Sequence, residues 1–154
     1  MQVPHDSATA YHEAGHAVVA LVLGRQVHHV SILPNRERLG VCEFRKPTTR
    51  PSEDWVEREI LISLGGIAAE ARHTGVHAWG SAGRDIQYVQ ALAIERAGER
   101  RADRYALRML SKAEHLIGQD ENWRAIELIA KALLETGSIS GRAARHYFDL
   151  SREE

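Results

Sequence analysis

The sequence predicts a mainly α (α+β) fold, with about five to six helices beside one small β-hairpin. Three observations carry the prediction. Long stretches open at a capping residue and stop at a glycine: Asp6 or Ser7 to Gly24, Ser52 to Gly75, Asp120 to Gly137. One region, about 27–45, is short and β-branched around a turn. With 154 residues, 44% hydrophobic and 27% charged, the chain suits one domain, 1–154, with one sizeable core.

The elements follow in order. A first helix runs from the Asp6/Ser7 cap to about Leu23 and carries two histidines four residues apart. Val27–Leu33 and Leu39–Arg45 read as the two strands of the hairpin, with "PNRERLG" as turn or loop. Ser52 caps a second helix reaching about Thr74, with Gly65 and Gly66 inside it. A Gly pair there costs about 1 kcal/mol per residue relative to Ala, so it implies a kink or the close approach of another helix. Residues 76–83 form a loop. A helix begins near Arg84–Asp85 and continues to about Ala97, where Gly98 breaks or loosens it. The C-terminal helical part, about 99–154, holds helices over 99–117 and 120–135 and a short one capped by Ser140.

Composition excludes several classes. The net charge of −1 gives no global field for nucleic acid or anionic membrane. The Arg-rich stretch 95–108 interleaves Glu95, Glu99 and Asp103, which is the pattern of a salt-bridged, solvated helix face; no nucleic-acid partner is expected. A single cysteine, Cys42, excludes an internal disulfide and any Cys-based zinc cluster, so a metal would need His and carboxylate ligands. The longest apolar run, Ala17–Leu23, is far short of a membrane span, and the first residues lack a basic leader region. The expected location is cytoplasmic.

The chemistry gathers in "AYHEAGHAVV", residues 10–19. His12 and His16, four apart on one helix face, can turn two imidazoles towards one metal ion. Glu13 is rotated about a quarter-turn from His12. That suits a general base beside a metal-bound water better than a ligand. This is the mechanics of H-E-x-x-H. The metzincin extension would need Gly at 19 and His at 22, and both are valine. Spacing leaves the third ligand open among Glu37, Glu43, Glu53, Glu70, His28, His29, His73 and His77.

At this point the sequence resembles the peptidase domain of the FtsH-type AAA+ zinc proteases, peptidase family M41. "YHEAGHAVVA" at 11–20 is similar to that family's metal helix, and "HVSILPNRERLGVCEF" at 29–44 to its strand–turn–strand. "LGGIAAEARHTG" at 64–75, "GSAGRDIQYVQALA" at 80–93 and "LIAKALLETGSISGRAARHYF" at 128–148 resemble later blocks in the family's order. The resemblance implies a zincin-like helical peptidase domain and Zn²⁺ as cofactor. His12, His16 and Asp85 would be ligands, the last carried over from the family's "NDxxxAT" block, and Glu13 the catalytic base. It also makes Glu70 a candidate hydrogen-bond partner of a ligating histidine. Trp79, before Asp85, is a candidate cleft residue; Trp55 and Trp123 read as core.

The implied activity is a metalloendopeptidase acting on unfolded or delivered polypeptide. Three departures stand out: Ile67 for the family's Arg, Ala71 for its second Glu, and "GSAG" at 80–83. No G-x-x-x-x-G-K-[ST] occurs in the 154 residues, so the expectation is an independent peptidase-like domain, a subunit served by an ATPase or unfoldase in trans, or an excised piece. That absence, with Ile67 and Ala71, also motivates the alternative of a non-proteolytic binding or regulatory module that keeps the metal site. The family's rings extend the expectation to a homo-oligomer.

Overall fold

The computed structural model describes residues 5–34, 40–44, 53–76 and 83–153. In chain order these hold α1 (His5–Val22), β1 (Val27–Ser31), β2 (Val41–Phe44), α2 (Glu53–Thr74), α3 (Gly83–Ala97), α4 (Ala102–Gly118), α5 (Asp120–Thr136), β3 (Ser138–Ser140) and α6 (Gly141–Leu150). The mainly α architecture with a small antiparallel sheet is the one the sequence predicts.

α1 is the central element. Ala10, Ala14, Ala17, Val18, Val19 and Ala20 are all at most 1% exposed, because α2, α5 and the sheet pack around this helix. An all-round apolar helix belongs inside a core. It ends where expected. Gly24 takes φ 80°, a conformation that disfavours any side chain, and Arg25 N–H then reaches back to the Ala20 carbonyl at 2.8 Å. Its start differs: the helix already includes His5, so Asp6 and Ser7 lie in its first turn rather than capping it.

The sheet has the order β2–β1–β3, with both pairings antiparallel. Val30 faces Cys42 on one side and Ile139 on the other, and the register shifts between Val27 and His29. β3 was not expected from the sequence. Three residues between helices show no periodicity; they become a strand because β1 offers them an edge. Residues 35–39 of the expected 34–40 turn, the Ser52 cap and residues 77–82 of the expected 76–83 loop fall outside the described residues.

α2 runs unbroken from Glu53 to Thr74, so the Gly65–Gly66 pair marks a close approach and not an interruption of the helix. A Cβ on Gly15 of α1 would stand 2.5 Å from the Gly65 carbonyl oxygen and 2.6 Å from Ala69 Cβ. Backbone therefore meets backbone where the helices cross. α4 begins at Ala102, three residues later than the sequence suggests, because Gly98 at φ 83° ends α3 and a turn follows. Asp120 is the first residue of α5, where its charge suits the helix N-terminus; Gln119 holds the cap position. Gly137 closes α5, and the Ser140 hydroxyl accepts from Ala143 N–H at 3.0 Å, as a cap of α6 should. The apolar faces of α4, α5 and α6 join α1 and α2 in one continuous core, with Trp55 and Trp123 partly buried against it.

Candidate metal centre

Helix α1 turns His12 and His16 towards α2 and α3, and both are buried (8% and 7% exposed) together with Glu13 (7%). Three ionisable groups inside a core require partners. The His16 ring lies against Gly66, whose missing side chain makes room for it; a Cβ there would overlap the imidazole. From that position Nδ1–H of His16 donates to the Ile62 carbonyl at 2.8 Å. A carbonyl only accepts, so in the neutral ring the lone pair is left on Nε2.

His12 is held in the same manner. Its Nδ1 is 2.8 Å from Glu70 Oε1, so Nδ1–H points at a carboxylate near the C-terminal end of α2. Both Nε2 atoms then meet Asp85, in the first turn of α3: Oδ2 is 2.7 Å from His12 Nε2 and 3.2 Å from His16 Nε2. The three donor atoms lie within 4.8 Å of one another. Two imidazole lone pairs and a carboxylate oxygen repel unless a proton or a cation sits among them.

The electrostatics report this tension. Burial opposes the charged form of His12, yet hydrogen bonds to Asp85 and Glu70 and the charges of Glu13 and Asp85 together raise its pKa to about 10. His16 is also raised, since Asp85 and Glu13 outweigh its burial and the neighbouring His12. Burial would lift the Asp85 carboxyl, but His16 and His12 hold it well below the usual carboxylate range. A group of positive charge is what this arrangement favours.

The donor set fits zinc. Nitrogen and oxygen donors about 2.0–2.1 Å from a tetrahedral zinc lie about 3.3 Å apart. The His16–Asp85 spacing of 3.2 Å is nearly that value, and the His12–Asp85 spacing of 2.7 Å would need to open slightly. Cys42 is no competitor: burial, with Glu13, Glu43 and Asp85 nearby, pushes its thiol well above its ordinary value.

Glu13 faces the sheet side of the cluster. A Cβ on Gly40, just before β2, would stand 3.1 Å from Glu13 Cγ, so the glycine lets the chain pass close over this carboxylate. Glu13 also contributes to the raised pKa of both histidines.

The other third-ligand candidates lie elsewhere or lie outside the described residues. Glu43 and His28 are exposed on the sheet, His29 sits in β1 and His73 stacks on Tyr11. Glu53 opens α2. Glu37, His77 and Trp79 lie outside the described residues. The sequence reasoning missed the Ile62 carbonyl, a main-chain group that carries no residue signature.

Comparison with known proteins adds the ancestry. The profile of Peptidase family M41 matches residues 2–99, a stretch that contains His12, Glu13, His16, Glu70 and Asp85. ATP-dependent zinc metalloprotease FtsH 4 of Sorangium cellulosum (strain So ce56) is 38% identical over 90 residues, 55% of this chain and 14% of that protein. ATP-dependent zinc metalloprotease FtsH of Magnetococcus marinus (strain ATCC BAA-1437 / JCM 17883 / MC-1) is 42% identical over 89 residues, 55% of this chain and 13% of its own length. The corresponding protein of Pelobacter propionicus (strain DSM 2379 / NBRC 103807 / OttBd1) is 35% identical over 89 residues, 55% of this chain and 14% of its length. The chain thus matches about one seventh of these curated relatives, and no helix among its described residues is long and apolar enough to cross a membrane. On the extent of the profile match, this chain belongs to peptidase family M41, a family of zinc metalloproteases.

Proposed function

We propose that the chain is a zinc-dependent endopeptidase centre that hydrolyses peptide bonds of unfolded polypeptide delivered to it. The supporting observation is the convergence of His12 Nε2, His16 Nε2 and Asp85 Oδ2, with each imidazole fixed from behind by an acceptor on α2. These three residues would hold Zn²⁺. When bound, zinc supplies Lewis acidity for a peptide carbonyl and lowers the pKa of water.

The chain's own residues do the rest. Glu13, buried beside the cluster and close under Gly40, takes a proton from the attacking water and returns it to the leaving amine nitrogen. Glu70 and the Ile62 carbonyl keep both imidazoles in the tautomer whose Nε2 faces the metal position. β2 is an edge strand next to Glu13, with β1 as its one neighbour among the described residues. An extended substrate would pair with its outer edge by strand addition, main chain to main chain, giving affinity with little sequence demand. Delivery would fall to an ATP-driven unfoldase, since the named relatives are ATP-dependent.

The test is Glu13→Gln. Zinc content by elemental analysis should stay at the wild-type level, while cleavage of an unfolded protein such as casein falls at least about 100-fold. Cleavage at the wild-type rate would remove Glu13 from this role. Zinc bound by the wild type with no cleavage of any peptide would favour a regulatory module instead.

A further inference from the structure

At the end of α2 a second set of contacts ties this helix to α1. His73 Nε2 and Ser7 Oγ share a hydrogen bond of 2.6 Å. The His73 ring stacks on Tyr11 with centroids 3.7 Å apart and planes 5° from parallel. Tyr11 leans in turn on Trp123 of α5, centroids 5.6 Å apart, and the Arg72 guanidinium lies 4.5 Å from the Trp123 ring centre. Stacked aromatic pairs contribute about 0.5–1.5 kcal/mol beyond the area they bury. Two of these contacts and one at the metal centre follow one another along the two helices. Ser7 and Tyr11 meet His73, and His12, next to Tyr11, meets Glu70, one turn before His73.

A helix end frays unless something holds it. Here the carboxylate that fixes His12 stands just before the last turn of α2, and the stack is made by that last turn. We propose that His73 is a positioning residue of the metal centre: stacked on Tyr11 and bonded to Ser7, it holds the end of α2 so that Glu70 stays on His12 Nδ1. Trp123, in α5 beyond the family-matched segment, backs the same stack from the other side. The inference rests on the zinc reading above.

The experiment measures zinc affinity of the full chain by competition with a chelating dye, with the metal-free melting temperature taken for each variant. His73→Ala should weaken zinc binding about tenfold, the lower end for partners that orient a ligand. His73→Phe keeps the stack and should restore most of the affinity. In a Glu70→Gln background, His73→Ala should weaken binding no further, because its effect passes through Glu70. In the metal-free protein, the His12 Nδ1 proton should exchange faster with water in His73→Ala. Unchanged affinity in His73→Ala, or losses that add in the double variant, would overturn the inference and leave the zinc reading intact. A wild-type chain that binds no zinc would overturn both.

Discussion

Where α1 crosses α2, the contact is made of glycine and alanine: a Cβ on Gly15 would touch the Gly65 carbonyl, and one on Gly65 would stand 2.5 Å from Val19 Cγ2. Where α5 packs on α1, and α4 on α2, the space is filled by large side chains: Ile126, Ile129 and Leu133 from α5, Met109 and Ile117 from α4, all at most 8% exposed. The first contact gives up side-chain volume so that main-chain groups come within reach of the imidazoles. That is how the Ile62 carbonyl meets His16 and how Gly66 admits its ring. It also buries His12, Glu13 and His16, which burdens stability. The second contact contributes the apolar burial that offsets this burden. Chemistry sits where α1 meets α2 and α3, and bulky side chains fill the contacts of α5 with α1 and of α4 with α2.

Shrinking the bulky side should produce the largest loss of stability. Leu133 is 0% exposed. Leu133→Ala removes buried methyl groups and leaves a cavity, at a cost of about 2–5 kcal/mol in denaturant unfolding. The zinc affinity of the folded fraction should stay near the wild-type value, because the groups around the metal position come from α1, α2 and α3 and none from α5. A drop in zinc affinity as large as the drop in stability would break the division of labour.

The reverse change is to enlarge the small side. Gly66→Ala places a methyl group on the His16 imidazole, which is held by the Ile62 carbonyl. Overpacking of this kind costs about 1–3 kcal/mol. Its effect on function should exceed its effect on stability: zinc affinity should fall by about 10- to 100-fold, as when a ligand's supporting partner is lost. A Gly66→Ala protein that binds zinc normally would show that α2 can shift away from α1 without disturbing His16.

The bulky side was also the easier one to read. α5 places Ala125, Ile126, Ile129, Ala130 and Leu133 on one face, a spacing visible in the letters alone. Helix ends were legible at Gly24, Gly75 and Gly137, which take positive φ. In the site, the His12–Glu13–His16 pattern could be read because it is local to one helix turn. Asp85, 73 residues from His12, could not be derived from spacing, and only the family resemblance singled it out. Gly65 and Gly66 left two readings open, since a glycine pair does not say what approaches it. β3 was invisible because its strand character comes from β1 and not from Ser138, Ile139 or Ser140 themselves.

The smallest expected effect lies where the two sides meet. Ser140 ends β3, opposite His29 of β1, and caps α6 through its hydroxyl on Ala143 N–H. Beside it, Gly141 runs so close to β1 that a Cβ would overlap the Val27 carbonyl. Ser140→Ala removes the cap acceptor but keeps the strand backbone and the glycine contact, so it should cost about 1 kcal/mol in denaturant unfolding. Ser140→Asp, which restores an acceptor and suits the helix N-terminus, should recover that loss. Because the α6 cap belongs to the stabilising side, neither change should move zinc affinity. If Ser140→Ala did weaken zinc binding, the sheet would be transmitting strain from α6 through β1 to β2 and Glu13, and the two regions would be coupled through β1.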